Sequence, residues 1–394
     1  MTQHLVPDAP EAVEAKPEDG RAHPTRSRLL GRPAFYRSYG QELALFNTRP
    51  KLVGVGLIVV AGLLTPFVVT DPMLETLAIA FVMAIGALGL NIVTGMAGQV
   101  SLGHAFFMGV GAYTAAAISG DPEGRTIGYG ITFLPVWLLA AGVVAGVAGA
   151  VIAPIASRLR GLYLAIVTLG LVFLGEHIFK EWKELTGGSG VGRAAAEPVM
   201  FGYAFDQDSD FLTKEQNLYL LMFVLLLVFA LFARNLARSK IGRAFAAVRD
   251  RDVAAEMMGI NLARAKVLAF AVSSFYAGCA GALLYTIIGF FDPSSFNLLL
   301  SVQFIAMVLI GGAGTVSGTI MGALFISMLP TLTREMPNYI PLISRQVTDT
   351  PNVFQVESIL YGLLIVAFLL FEPRGLFGIW VRIRTYWKSW PFSY

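Results

Sequence analysis

Long apolar runs alternate with short polar connections along most of this chain. The apolar stretches are Leu52–Val69, Met73–Thr94, Ala105–Ile118, Ile131–Pro154, Leu162–Phe179, Leu218–Phe232, Lys266–Phe291, Leu298–Ile310, Gly318–Leu329 and Phe354–Phe371. Most approach the ~20 residues that an α-helix needs to cross a hydrocarbon core. Backbone groups cannot stay unpaired in lipid, so such runs are expected to be helical. The pattern predicts an all-α, polytopic integral membrane protein with about ten apolar segments. Its permease-like core occupies residues 50–380, between a polar tail over 1–49 and a short tail over 381–394.

Two interruptions break the pattern in the same way. The first reads GMAGQVS from Gly95 to Ser101, and the second reads GGAGTVS from Gly311 to Ser317. They agree at G-x-A-G-x-V-S. Each follows a span, an Asp-Pro turn (Asp71-Pro72 and Asp292-Pro293) and an apolar run. Each precedes an apolar run, a loop, a span and a basic cluster. This order predicts a parallel internal repeat about an axis along the membrane normal. Glycine-rich backbone at membrane depth is tolerated where protein or water covers it, which makes Gly95, Gly98, Gly312 and Gly314 candidates for a translocation path. The same glycines also suit close helix packing. Gln99, Ser101, His104 and Ser317 are the polar side chains at the breaks, and intramembrane polar groups favour the path reading. His104 by itself reads as a structural hydrogen-bonding residue.

Charge sets the orientation. Lys and Arg concentrate in short cytoplasmic loops. Arg158 and Arg160 follow the Ile131–Pro154 run, and Arg374, Arg382, Arg384 and Lys388 follow the last span. The tail before the first span is acidic, then basic (Arg21 to Arg49), with too few apolar residues in its first half to form a core. Both termini are therefore expected inside, with the first half of the tail disordered, no signal peptide, and a short interfacial helix over Pro33–Phe46. The loop over 181–217 carries seven acids against three bases and is placed outside. Thr331–Val353 reads as a Pro-containing polar loop.

The most distinctive polar stretch is SKIGRAFAAVRDRDVAAEMMGIN, Ser239–Asn261, within a loop over 234–261. Arg234, Arg238, Lys240, Arg243, Arg249 and Arg251 mark it as cytoplasmic. Ile241, Phe245 and Val248 recur at helical spacing and predict one apolar stripe. Asp252 is placed to cap a second short helix and Gly259 to end it. Such a surface suits a protein partner or lipid headgroups.

This run resembles the cytoplasmic "EAA" loop of ABC importer permeases, most closely in the LivM-type branched-chain amino acid family, with A-A-E-M-M-G in place of E-A-A. Further blocks resemble that family: Leu88–Thr114, Thr186–Val191 (TGGSGV), Lys266–Leu283 and Glu372–Gly378 (EPRGLFG). The resemblance implies that the loop is a coupling helix for a separate ATPase, and maps Gly242, Arg243, Ala255, Glu256 and Gly259 onto the coupling positions. It also implies a LivH-like second permease, two ATP-binding subunits, an extracytoplasmic substrate-binding protein and a bacterial inner-membrane location.

Composition narrows the chemistry further. Hydrophobic residues make up 56% of the 394 and charged residues 14%, against about 25% in soluble domains. A single cysteine, Cys279, excludes an internal disulfide and a cysteine metal site. No G-x-x-x-x-G-K-[ST] occurs, so the chain does not hold ATP in a P-loop. No zincin spacing or G-x-S-x-G is present. The neighbouring Glu176 and His177 point about 100° apart on a helix and form no acid–base pair. A transport subunit without cofactor, metal or nucleic acid is expected. Two other readings stand at this point: a urea or short-amide permease, and an ion-coupled secondary transporter. The second requires buried mid-membrane acids, which the spans lack apart from Glu176 near a boundary.

Overall fold

A computed structural model describes residues 49–159, 161–188, 190–209, 211–339, 344, 352–372 and 374–389. The expected disordered tail and interfacial helix lie outside the described residues. The chain divides into two units, residues 1–61 and 62–394. Of the first unit the structure describes only the start of α1 (Arg49–Leu64), an apolar helix.

The second unit is a helical bundle in the expected order. It contains α2 (Asp71–Leu90, continued by a π-helical segment Asn91–Met96), α3 (His104–Ser119), α4 (Leu134–Arg158) and α5 (Leu162–Glu181). The short α6 (Lys183–Thr186) precedes α7 (Lys214–Arg238), α8 (Lys240–Asp250), α9 (Asp252–Met257) and α10 (Leu262–Ile288). Next come α11 (Leu298–Gly311), α12 (Val316–Tyr339), α13 (Val353–Phe371) and α14 (Gly375–Ser389). Among the described residues, seven helices are long and apolar enough to cross a membrane, and α1 and α11 are shorter apolar helices. The chain is an all-α polytopic membrane protein.

Three boundaries differ from the sequence expectation. Helix α7 begins at Lys214 rather than Leu218, because Thr213 and Gln216 form a capping box that satisfies the first amides. Helix α12 does not stop near Leu329 but runs through Pro330 and Pro337 to Tyr339. A proline removes one ladder bond without ending a helix whose neighbours hold it. The stretch expected as the C-terminal tail is helical as far as Ser389, where α14 follows the Glu372–Arg374 turn.

Helix α10 is the axis of the bundle, packed against α4, α3 and α2. Its YAGCAG segment, Tyr276–Gly281, makes this approach feasible. A Cβ on Gly281 would lie against the Met108 carbonyl oxygen, and one on Gly278 2.6 Å from that of Ala141. Small residues let helix backbones meet where lipid supplies no hydrophobic drive to association. Cys279 is fully buried here, with its Sγ 3.5 Å from the Leu138 carbonyl oxygen.

The predicted repeat has a structural counterpart. In both halves an Asp-Pro pair opens the helical stretch, as the first turn of α2 in one and as a 3-10 turn before α11 in the other, and a glycine break and a second helix follow. The matched glycines Gly98 and Gly314 both adopt left-handed backbone, with φ +69° and +82°. Helix α2 packs on α12, and α3 on α11, as exchange of the two halves requires.

The loop between α5 and α7 is anchored rather than draped. Two-residue strands β1 (Arg193–Ala194) and β4 (Phe290–Phe291) pair antiparallel, as do β2 (Val199–Met200) and β3 (Tyr203–Ala204). Trp137 of α4 is fully buried and donates to the Glu197 carbonyl at 3.1 Å. The Arg193 guanidinium donates to the carbonyls of Leu185, Ala116 and Ile127, each at 2.6 Å. Burial holds its pKa below the ordinary arginine value, with Tyr113 acting in the opposite direction. Beneath it, Tyr113, Phe179, Tyr285, Phe291 and Phe296 form one aromatic cluster with ring centroids 4.8–5.8 Å apart.

Candidate functional site: the junction of two breaks and a loop

Helix α2 and its π-helical extension run 26 residues, about 39 Å at 1.5 Å per residue. That exceeds a ~30 Å hydrocarbon core. The first break therefore follows a complete span. π-Helical turns are uncommon and concentrate at functional sites. Here the wider turn, closed by Ala97 N–H to the Ile92 carbonyl at 3.1 Å, leaves the Gly95 carbonyl available to a side chain.

Three parts of the chain meet at this point. Asn91, fully buried, accepts from the Gly314 amide at 2.7 Å and donates to the Thr315 carbonyl at 3.3 Å. One carboxamide thus pairs a donor and an acceptor of the second break. Arg249, near the end of α8, donates from Nη1 to the Gly95 carbonyl at 3.1 Å and from Nε to Asp250 at 3.0 Å. A Cβ on Gly98 would lie 2.7 Å from Arg249 Cγ, and one on Gly314 3.0 Å from its Nη1. The two glycines leave room for the arginine. A cation at the C-terminal end of a helix is also favoured by the aligned peptide dipoles.

The other proposed path residues separate into groups. Gly95, Gly98 and Gly314 belong to the Asn91–Arg249 junction. Gly312 turns away from it, with φ +116° and the Arg374 carbonyl 2.7 Å from its Cβ position. Arg374 and Gly375 thus pack on the second break, where Gly375 approaches Gly312 in return. Ser101 is buried and accepts from the Gly103 amide at 3.4 Å, and Thr168 of α5 holds the adjoining Leu102 amide at 2.9 Å. His104 is buried, bonded to the Gly86 backbone and tilted against Phe304 with centroids 4.7 Å apart. Its Nε2 and both polar atoms of Gln99 are buried without a partner among the described residues. Ser317 is exposed and takes no part in the junction, whereas its repeat mate Ser101 is buried.

The loop consists of two short helices, as its pattern predicts. Ser239 caps α8 through the Gly242 amide at 3.2 Å. Gly242 lies in the first turn of α8, packed against the end of α7, where a Cβ would meet the Leu236 carbonyl. Arg243 is exposed and donates back to the Arg238 carbonyl at 3.0 Å. Phe245 and Val248 bury as expected, but Ile241 stays 40% exposed, so the inward stripe is narrower than its spacing implies. Asp252 is the first residue of α9 rather than its cap, which is Arg251. Gly259 ends α9 in left-handed backbone at φ +83°, and the Ile260 amide reaches back to the Ala255 carbonyl at 3.0 Å. Ala255 is buried, while Glu256 and Gly259 are exposed. Both line an open cavity of about 660 Å³ with Arg158, Asn261 and Lys266. Val253 and Met257 on the same short helix, and Met258 at its C-cap, are exposed, the two methionines above 80%. No cluster of metal-ligating side chains occurs among the described residues.

Asn91 and the particular role of Arg249 are the residues that sequence reasoning missed. Asn91 had a signal, since it is a polar residue inside an apolar run four positions before a glycine break.

Comparison with known proteins places this arrangement. The chain is 31% identical over 348 residues to the high-affinity branched-chain amino acid transport system permease protein LivM of Escherichia coli K12, covering 84% of this chain and 75% of that protein. It is 24% identical over 306 residues to the permease protein LivH of the same organism, covering 75% and 91%. It is 25% identical over 298 residues to the ribose import permease protein RbsC of Haemophilus influenzae, covering 72% and 84%. No solved structure matches the chain. Residues 73–369, which carry both breaks and the loop between α7 and α10, match the branched-chain amino acid transport system permease component, and the chain belongs to that family of ABC permeases.

Proposed function

We propose that this chain is the membrane-spanning subunit of an ABC importer for branched-chain amino acids, driven by separate ATPases that grip the Ser239–Asn261 loop from the cytoplasm. The carrying observation is the surface of α9. Val253, Met257 and Met258 stand exposed beside Glu256 on a helix too short to be stable alone. An apolar cluster rimmed by charge marks a protein contact, and methionines adapt to a partner's contours. Gly242 and Gly259 shape the two ends of the loop, Ala255 seats α9 on the bundle, and Glu256 faces a basic group of the ATPase. Arg243, which steadies the turn through Arg238, faces an acidic one.

The reading extends to the assembly. A LivH-like permease pairs with this chain, two ATP-binding subunits dock beneath, and an extracytoplasmic binding protein delivers substrate and sets most of the selectivity. Both termini lie in the cytoplasm. The translocation path follows the meeting line of the two repeats past Gly95, Gly98, Gln99, Ser101, His104, Gly312, Gly314 and Ser317. Buried polar atoms without partners at Gln99 and His104 support that route, because such groups are costly in an apolar bundle. Family membership favours ATP over an ion gradient as the energy source.

Co-purification tests the reading. Detergent-solubilised wild type is expected to retain its ATPase subunits, and Glu256→Arg and Gly259→Trp to lose them while remaining monodisperse. Retention of the ATPases by both variants refutes the docking role of α9.

A further inference from the structure

We propose that Arg249 and Asn91 form a clasp that holds the two repeats together at their breaks, and that Arg249 is the positioning residue through which movement of the loop reaches the transport path. Asn91 joins the two breaks directly, by two hydrogen bonds across more than 220 residues of sequence. Arg249 adds the loop as a third member through the Gly95 carbonyl. Gly98 and Gly314, matched by the repeat, both press on Arg249, and at neither is there ordinary room for a Cβ. The bond from Arg249 is also the exchangeable part of the clasp. Its side chain is 42% exposed and already shares Asp250, whereas Asn91 is fully buried.

The parts therefore differ in how readily they release. A partly solvated guanidinium can leave a carbonyl for water or for its neighbouring carboxylate at small cost. A buried carboxamide cannot leave two backbone groups without orphaning them. Rotation of α8 on the ATPases withdraws Arg249 from Gly95 first, and frees the break at the end of α2. Asn91 then acts as the pivot about which the repeats separate and to which they return. Like the function proposed above, this rests on the loop being the ATPase-docking element.

The test compares wild type, Arg249→Lys and Arg249→Ala in nanodiscs by hydrogen–deuterium exchange, with and without a non-hydrolysable ATP analogue. In wild type, exchange over residues 93–98 and 312–316 is expected to rise on nucleotide binding. In Arg249→Ala it is expected to be about tenfold faster already without nucleotide, as loss of a hydrogen bond to a charged group implies. Arg249→Lys, which can still reach one carbonyl, is expected in between. In proteoliposomes, ATP hydrolysed per leucine imported is expected to rise about tenfold in Arg249→Ala, with the ATPases still bound. Equal exchange in wild type and Arg249→Ala overturns the clasp. Loss of the ATPases from Arg249→Ala assigns the residue to the docking face and also overturns it, while leaving the importer reading intact. If wild type itself carries no ATPase, the importer reading fails, and exchange in the permease alone still decides whether Arg249 holds the breaks.

Discussion

Removal of the Arg193 guanidinium is expected to loosen the whole loop between α5 and α7. The side chain is 4% exposed and donates to three carbonyls at 2.6 Å from three different segments. Bonds from a charged donor contribute roughly 1.5–3 kcal/mol each. Their simple sum of about 6 kcal/mol is an upper bound, because three bonds from one side chain share a single ordering and are not additive. A net local stabilisation of about 3 kcal/mol remains, or roughly a hundredfold in an opening equilibrium. Amide exchange is the suitable assay, because it reads local opening without requiring a polytopic protein to unfold in two states. In Arg193→Ala, amides of the 121–131 and 184–196 segments are expected to exchange about a hundredfold faster, with α10 unchanged. Arg193→Lys places all its donors on one nitrogen, cannot fork to three carbonyls, and should recover only part of the protection. The unfolded chain holds this proton more tightly than the folded one, so the group's contribution to stability rises with pH only in the strongly alkaline range. Between about pH 6 and 8 the difference between wild type and variant should be flat. Less than about a threefold change in exchange refutes the reasoning, because it means the carbonyls are equally well served by water.

Further outcomes follow from the same packing. Asn91→Leu orphans the Gly314 amide and the Thr315 carbonyl and should cost about 2–4 kcal/mol, read as faster protease nicking at residues 312–315. Asn91→Asp keeps the acceptor for Gly314 but sets a buried carboxylate against the Thr315 carbonyl, and should cost at least as much. Gly281→Val forces a side chain onto the Met108 backbone and should lower the melting temperature in detergent by several degrees, at about 1–3 kcal/mol. Gly362→Ala in α13, with nothing within 4 Å of its Cβ position, should leave the melting temperature unchanged.

Much of this architecture is legible in the chain because lipid simplifies the code. Long apolar runs must be helices, so the spans, the two breaks and the paired loop helices can be placed from pattern alone. Gly259 also reads correctly, because few residues other than glycine accept left-handed backbone where a helix stops. Pattern misleads where local signals compete. Pro330 reads as a helix breaker, yet the chain continues through it to Tyr339. The T-x-x-Q pattern at Thr213–Gln216 was available and fixes the start of α7 four residues earlier than hydropathy does. Ile241 has the spacing of a core position but lies in the first turn of α8 and stays 40% exposed. The junction itself was the least legible part. Nothing in sequence spacing tells which of six basic residues in and beside a loop meets a carbonyl 154 positions away, or that one asparagine matches a glycine amide in the other half.

The burial of Cys279 has a practical consequence for probing these motions. As the chain's only thiol, enclosed by α10 and α4, it is out of reach of maleimides and spin-label reagents in the folded protein. The unmodified chain is thus already a silent background for cysteine-scanning and for placing reporter pairs across the breaks. Replacing Cys279 first would be the riskier course, because the sulfur fills space between packed backbones. Reactivity of that native thiol in a labelled sample becomes a built-in indicator that the centre of the bundle has come apart.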